Sequence, residues 1–169
     1  LRNDFVVDIF ILGSALKDKF SPRDIDVIAL FRGKDYGVIE ELVYAMKKEV
    51  DKNVHIEYLV IEDLFSNKLF PSIIHEGFSI KNGKFISELS GYKAYVLFIF
   101  SLEKLSNVEK VRFAQTIYGR KNDGLLQKEH GKKIGKGAFM VPIQKEEFFR
   151  EVLNKQRVKF EAKRVFVKD

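Results

Sequence analysis

The sequence predicts an α+β chain in two parts, residues 1–90 and 91–169, and three observations carry that reading. Short runs rich in Ile, Val, Leu and Phe, such as residues 5–12 and 25–31, read as buried strands. Other segments space their apolar residues as a helix face does: Val38, Ile39, Leu42, Val43 and Met46, with charges between. Charge is also divided unevenly. Residues 1–90 carry 12 Lys/Arg and 15 Asp/Glu, a net of −3, whereas residues 91–169 carry 18 and 9, a net of +9. The boundary falls near Ser90-Gly91.

In the first part, a strand over 5–12 leads to a short helical turn and loop. Ser21-Pro22 breaks that turn, because proline disfavours helix at the residue before it. A second strand covers 25–31, Gly33 and Gly37 mark a loop, and a helix runs over 38–50. After the turn Asp51-Lys52-Asn53, residues 54–61 form a third strand, and 62–65 a short helix or turn. Pro71 suits a first helical position, so a helix runs to Glu76 and stops at Gly77. Residues 78–80 and 84–86 form a small hairpin with Asn82-Gly83 in its turn.

The second part reads as β-α-β-α-β, a small basic α+β unit. Residues 95–101 are apolar and aromatic, a strand. Ser106 with Glu109 three residues on is a capping-box pattern opening a helix over 106–118. Residues 138–141 are a strand, 144–156 a helix and 158–167 a last strand. The stretch 119–137, rich in Gly and Lys, is expected to be irregular. Flexible backbone with cations suits phosphate contact, so Arg120, Lys121, Lys132, Lys133 and Lys136 are candidates for nucleic-acid binding. It holds no Gly-Lys-Ser/Thr and is no Walker loop. Tyr118 and Phe139 flank it and could stack on bases or pack in a core.

Composition bounds the function. With 169 residues and 46% hydrophobic content, the chain has enough apolar material for a proper core. The longest apolar run, 95–100, is far short of the ~18 residues that would suggest a membrane span, and no secretory signal pattern is visible. Zero Cys excludes disulfides and thiolate metal sites and fits a cytoplasmic location. The three His are too widely spaced for a zinc pattern.

The chemistry concentrates in residues 8–31, DIFILGSALKDKFSPRDIDVIALF. Residues two apart on a strand share a face, so Asp24 and Asp26 present two carboxylates side by side. Two like charges so close need an offset, and a hard divalent cation such as Mg²⁺ supplies it. Gly13 lets the backbone approach a ligand, and Ser14 adds a hydroxyl and an N–H that can hold a phosphate oxygen. Lys17 and Arg23 are within reach of a triphosphate. Phosphates on one side and metal on the other is the layout of a phosphoryl- or nucleotidyl-transfer site.

An apolar strand, Gly13-Ser14, a short helix-loop and Asp24-x-Asp26 entering a second apolar strand resembles the nucleotidyltransferase superfamily typified by DNA polymerase beta, in its small archaeal and bacterial type. The resemblance covers the first half of the chain. It implies a mixed sheet with helices on one side and a third carboxylate on a later strand, for which Glu57 is the candidate and Glu62 the alternative. It further implies transfer of a nucleoside monophosphate from an NTP, ATP among them, to an acceptor hydroxyl. Asp24, Asp26 and Glu57 would hold Mg²⁺ or Mn²⁺, Glu57 would help deprotonate the acceptor, and Gly13 and Ser14 would hold the β- and γ-phosphates. The basic second half points to RNA or DNA as acceptor. Two other readings stand beside this one: a toxin-associated adenylyltransferase or antitoxin acting on a protein, and an inert nucleotidyltransferase fold that binds nucleic acid.

Overall fold

The computed structural model describes residues 4–12, 25–49, 54–120 and 123–168, and divides the chain into two compact units, 1–91 and 92–169. Both mix strands and helices, so the chain is α+β.

The first unit holds a mixed five-stranded sheet. Strand β1 (Val6–Leu12) pairs antiparallel with β2 (Ile25–Phe31). A parallel neighbour needs a crossover. Helix α1 (Tyr36–Glu49) provides it and delivers β3 (Val54–Val60) parallel to β2. A 3₁₀ segment (Ile61–Ser66) and helix α2 (Phe70–Glu76) follow, with Pro71 in the first turn. The hairpin β4 (Phe78–Ser79) and β5 (Lys84–Phe85) then extends the other edge of β1, giving the order β3-β2-β1-β4-β5. Gly83 closes its turn at φ +63°, a conformation glycine adopts at little cost. Helix α3 (Ile86–Leu89) ends the unit.

Asp8 ties β1 to this hairpin. Its buried carboxylate accepts hydrogen bonds from the Ser79 hydroxyl and from the Lys81 N–H at 3.2 Å. A buried carboxylate so well supplied with donors is stabilising, and one stripped of them would be costly.

The two faces of this sheet carry separate cores. Phe10, Leu12, Ile28, Leu30 and Leu59 pack with Ile73 of α2. Ala29, Phe31 and Val60 pack with Ile39 of α1. The expectation of helices on one side is therefore corrected: helices cover both faces. Along β2 successive residues alternate between the two cores, which is why this strand reads as a continuous apolar run.

The second unit is built on a four-stranded antiparallel sheet, in the order β7 (Lys132–Gly135), β8 (Ala138–Pro142), β6 (Tyr92–Ser101) and β9 (Lys159–Lys168). Strand β6 (Tyr92–Ser101) is its centre, and β9 (Lys159–Lys168) pairs along its whole length. Helix α4 (Asn107–Tyr118) starts at the expected capping box. The Ser106 N–H donates to the Glu109 carboxylate at 2.8 Å, and the Glu109 N–H donates to the Ser106 hydroxyl at 3.4 Å. The Ser106 hydroxyl also donates to that carboxylate at 2.7 Å, and it and the Ser106 N–H hold the Glu109 carboxyl below its ordinary value. Helix α6 (Glu146–Lys155) packs on the same face as α4. A cluster of phenylalanines (98, 100, 113, 139 and 149) fills the core between sheet and helices.

A second expectation is corrected here. The Gly- and Lys-rich stretch is not irregular throughout. It contains a short helix α5 (Leu125–Lys128) and strand β7 (Lys132–Gly135), which pairs with β8 (Ala138–Pro142). Among the described residues no helix is long and apolar enough to cross a membrane.

Candidate functional site

Strands β2 and β3 run parallel with Asp26 opposite His55 and Ile28 opposite Glu57. Register partners share a face, and so do residues two apart. Asp26, His55 and Glu57 therefore emerge on one face, at the end of β2 where the chain enters it. His55 Nδ1 lies 3.9 Å from Asp26 Oδ1 and 3.9 Å from Glu57 Oε1. The two carboxylate oxygens are thus within twice that distance of each other. All three side chains are substantially exposed, Asp26 at 58%, His55 at 65% and Glu57 at 48%.

These residues line a cleft of about 260 Å³. Leu12 closes it from β1, and Ser72 and Glu76 face it from α2. Ser72 and Glu76 lie four apart, so one helical face presents both. Sequence reasoning passed over them, although that spacing after Pro71 is visible in the sequence.

Asp24, Gly13 and Ser14, with Lys17 and Arg23, lie outside the described residues. Among the described residues no group of three or more His, Asp or Glu is arranged to hold a metal ion. Asp26 and Glu57 contribute hard oxygen donors facing an open cleft, a donor set suited to Mg²⁺ or Mn²⁺ rather than to softer metals. Glu62 is engaged elsewhere: its carboxylate lies 3.4 Å from Lys34 Nζ, which also donates to Asp63 at 3.1 Å. Hydrogen bonds from Lys34 to Asp63 and Glu62 raise the lysine above its ordinary value.

In the second unit the basic candidates separate. Lys132 and Lys133 are adjacent on β7 and point to opposite faces of the sheet. Lys132 Nζ sits 5.7 Å from the centre of the Tyr95 ring, and Lys133 Nζ 4.6 Å from that of Tyr118. Lys136 is exposed in the β7–β8 turn and Arg120 is exposed just beyond α4, while Lys121 lies outside the described residues. Phe139 is fully buried among Phe98, Phe100 and Phe149, so it serves the core and not base stacking. Tyr118 packs against the same core with its hydroxyl buried, and burial pushes its phenol up.

Comparison with protein-family models, with curated proteins and with solved structures finds no match for the chain.

Proposed function

We propose that the first unit is a metal-dependent nucleotidyltransferase of the DNA polymerase beta-like superfamily. The observation that carries the reading is the placement of Asp26 and Glu57 on neighbouring parallel strands, on one face and over one cleft. Asp26 and Glu57, with Asp24 before them, are the residues that would hold Mg²⁺ or Mn²⁺. The cation supplies positive charge where the transferred phosphate becomes more negative.

The chain's own residues do the rest. Glu57 takes the proton of the acceptor hydroxyl as its oxygen bonds to the α-phosphorus of the NTP. The bond from that phosphorus to its bridging oxygen breaks, and pyrophosphate leaves. Gly13 and Ser14 hold the β- and γ-phosphates in line for that departure. The acceptor hydroxyl belongs to a nucleic acid, a class that the net charge of +9 on residues 91–169 favours.

The test supplies each α-labelled NTP with Mg²⁺ and, in parallel, RNA, DNA and mixed protein acceptors. Label is expected on nucleic acid and is lost in Asp26→Asn. Label on protein alone would favour the toxin-associated reading. No transfer to any acceptor, with nucleic-acid binding kept, would favour the inert module.

A further inference from the structure

One row of side chains runs straight across all four strands of the second unit's sheet. In register order it is Lys132 on β7, Met140 on β8, Leu97 on β6 and Lys163 on β9. Register partners share a face, and this face is turned away from the unit's own core. The core takes the alternate residues: Val96, Phe98 and Phe100 from β6, with Phe139 and Val141 from β8. Lys132 and Lys163 are exposed, and Met140 and Leu97 between them are half-buried. Neighbouring strands lie about 4.8 Å apart, so the two edge lysines stand roughly 14 Å apart across an apolar floor.

The neighbouring positions continue the pattern. Ile99 on this face is 40% exposed, whereas Tyr95 beside the row is buried, with Lys132 over its ring. Lys159 shares the face through its pairing with Ser101. The acidic residue here is Glu161, which sits 3.8 Å from Lys163, with both side chains well exposed. An exposed pair of this kind is weak and gives way to a better-placed anion.

Cations at both edges and an apolar floor between them call for a particular occupant. It must carry repeated negative charges and flat, weakly polar groups that can lie on Met140 and Leu97. A nucleic-acid duplex offers phosphates but keeps its base faces stacked inside. A second copy of this sheet would set lysine rows against lysine rows. A single strand offers both phosphates and unstacked bases. We propose that this open face docks single-stranded nucleic acid, with phosphates held at Lys132 and Lys163 and bases lying on the Met140–Leu97 floor. Docking here does not require the chemistry at Asp26.

The test uses the full chain and a fluorescent single-stranded oligouridylate, with a duplex of equal length and phosphatidylserine vesicles in parallel, each titrated against salt. Wild type is expected to prefer the single strand. Each single-strand phosphate contact contributes roughly 0.7 to the log–log salt slope, so Lys132→Ala with Lys163→Ala should flatten it by about 1.4. Lys133→Ala, on the opposite face, should leave the slope unchanged. Leu97→Ser should weaken binding without altering the slope, because the floor contact is not ionic. Asp26→Asn should bind as wild type does, which separates this surface from the proposed reaction. A slope indifferent to Lys163, an equal effect from Lys133, tighter binding of duplex or vesicles, or no binding of single strands would each overturn the proposal.

Discussion

His55 stands between Asp26 and Glu57, its Nδ1 3.9 Å from an oxygen of each. Parallel pairing sets this up, because it puts His55 opposite Asp26 and leaves Glu57 two residues further along the same face. Asp26→Asn keeps the shape and removes the charge. The variant should lose roughly 10³ in turnover, corresponding to the several kcal/mol that a metal contributes to such a transfer. Because the side chain is 58% exposed, its unfolding free energy should stay within about 0.5 kcal/mol of wild type. Rates with labelled NTP and a urea titration check both halves, and retained turnover would sink the metal-ligand role.

Glu57 and Glu62 are both acidic and close in sequence, and the structure gives them different surroundings. Glu57 faces the cleft, whereas Glu62 sits beside Lys34. Glu57→Gln should lower turnover roughly 10²–10⁴-fold, the range for loss of a general base, and should weaken Mn²⁺ binding in a direct titration. Glu62→Gln should leave both unchanged. Equal losses from the two variants would mean that the third carboxylate is misassigned.

The parts legible in the sequence were those fixed by local chemistry. Ser106 and Glu109 cap α4 as their spacing required, and the period-2 pattern put Glu57 on one strand face. What escaped depends on distant partners. Apolar faces on α1 and α2 show that each helix packs, but not on which side of the sheet. Strand β7 (KKIG) has one large apolar residue and lies at a sheet edge, so it gave no strand signal. Lys163 belongs with Lys132 only through the registers of β9, β6 and β8, and register across separate strands is set by packing that no short window contains.

Glu146 is a buried carboxylate, its side chain 5% exposed, with Arg150 Nη2 at 2.7 Å and Arg164 Nε at 3.2 Å. Burial alone would raise its pKa. The hydrogen bonds and charges of Arg150 and Arg164 outweigh that and hold it below 4.5. A depressed folded value means that the stabilisation is complete above the unfolded value and is lost as pH falls through the folded one. Glu146→Gln should therefore cost about 2 kcal/mol at pH 7, reduced somewhat because both arginines are about a third exposed. The gap between wild type and variant should shrink as pH falls below 4.5. Urea unfolding at several pH values reads it, and a gap that stays constant into strong acid would remove Glu146 as its source.

Gly119 ends α4 at φ +75° and ψ 179°, a region that is almost exclusively glycine's. Its N–H still donates to the Gln115 carbonyl at 2.9 Å, while the chain turns so that the Arg120 N–H donates to Asp123 Oδ1 at 3.1 Å. A Cβ there would run into that same Asp123 carboxylate and into the backbone nitrogen of Gly124. Gly83, at φ +63° in the β4–β5 turn, has nothing within 4 Å of the corresponding position. Both substitutions to Ala incur the conformational cost of a positive φ, about 1–2 kcal/mol, but only Gly119→Ala adds a clash, with Asp123 and with the backbone nitrogen of Gly124. Gly119→Ala should thus cost about 2–4 kcal/mol, clearly more than Gly83→Ala, in parallel urea titrations. Equal losses would mean that the turn after α4 yields to a side chain.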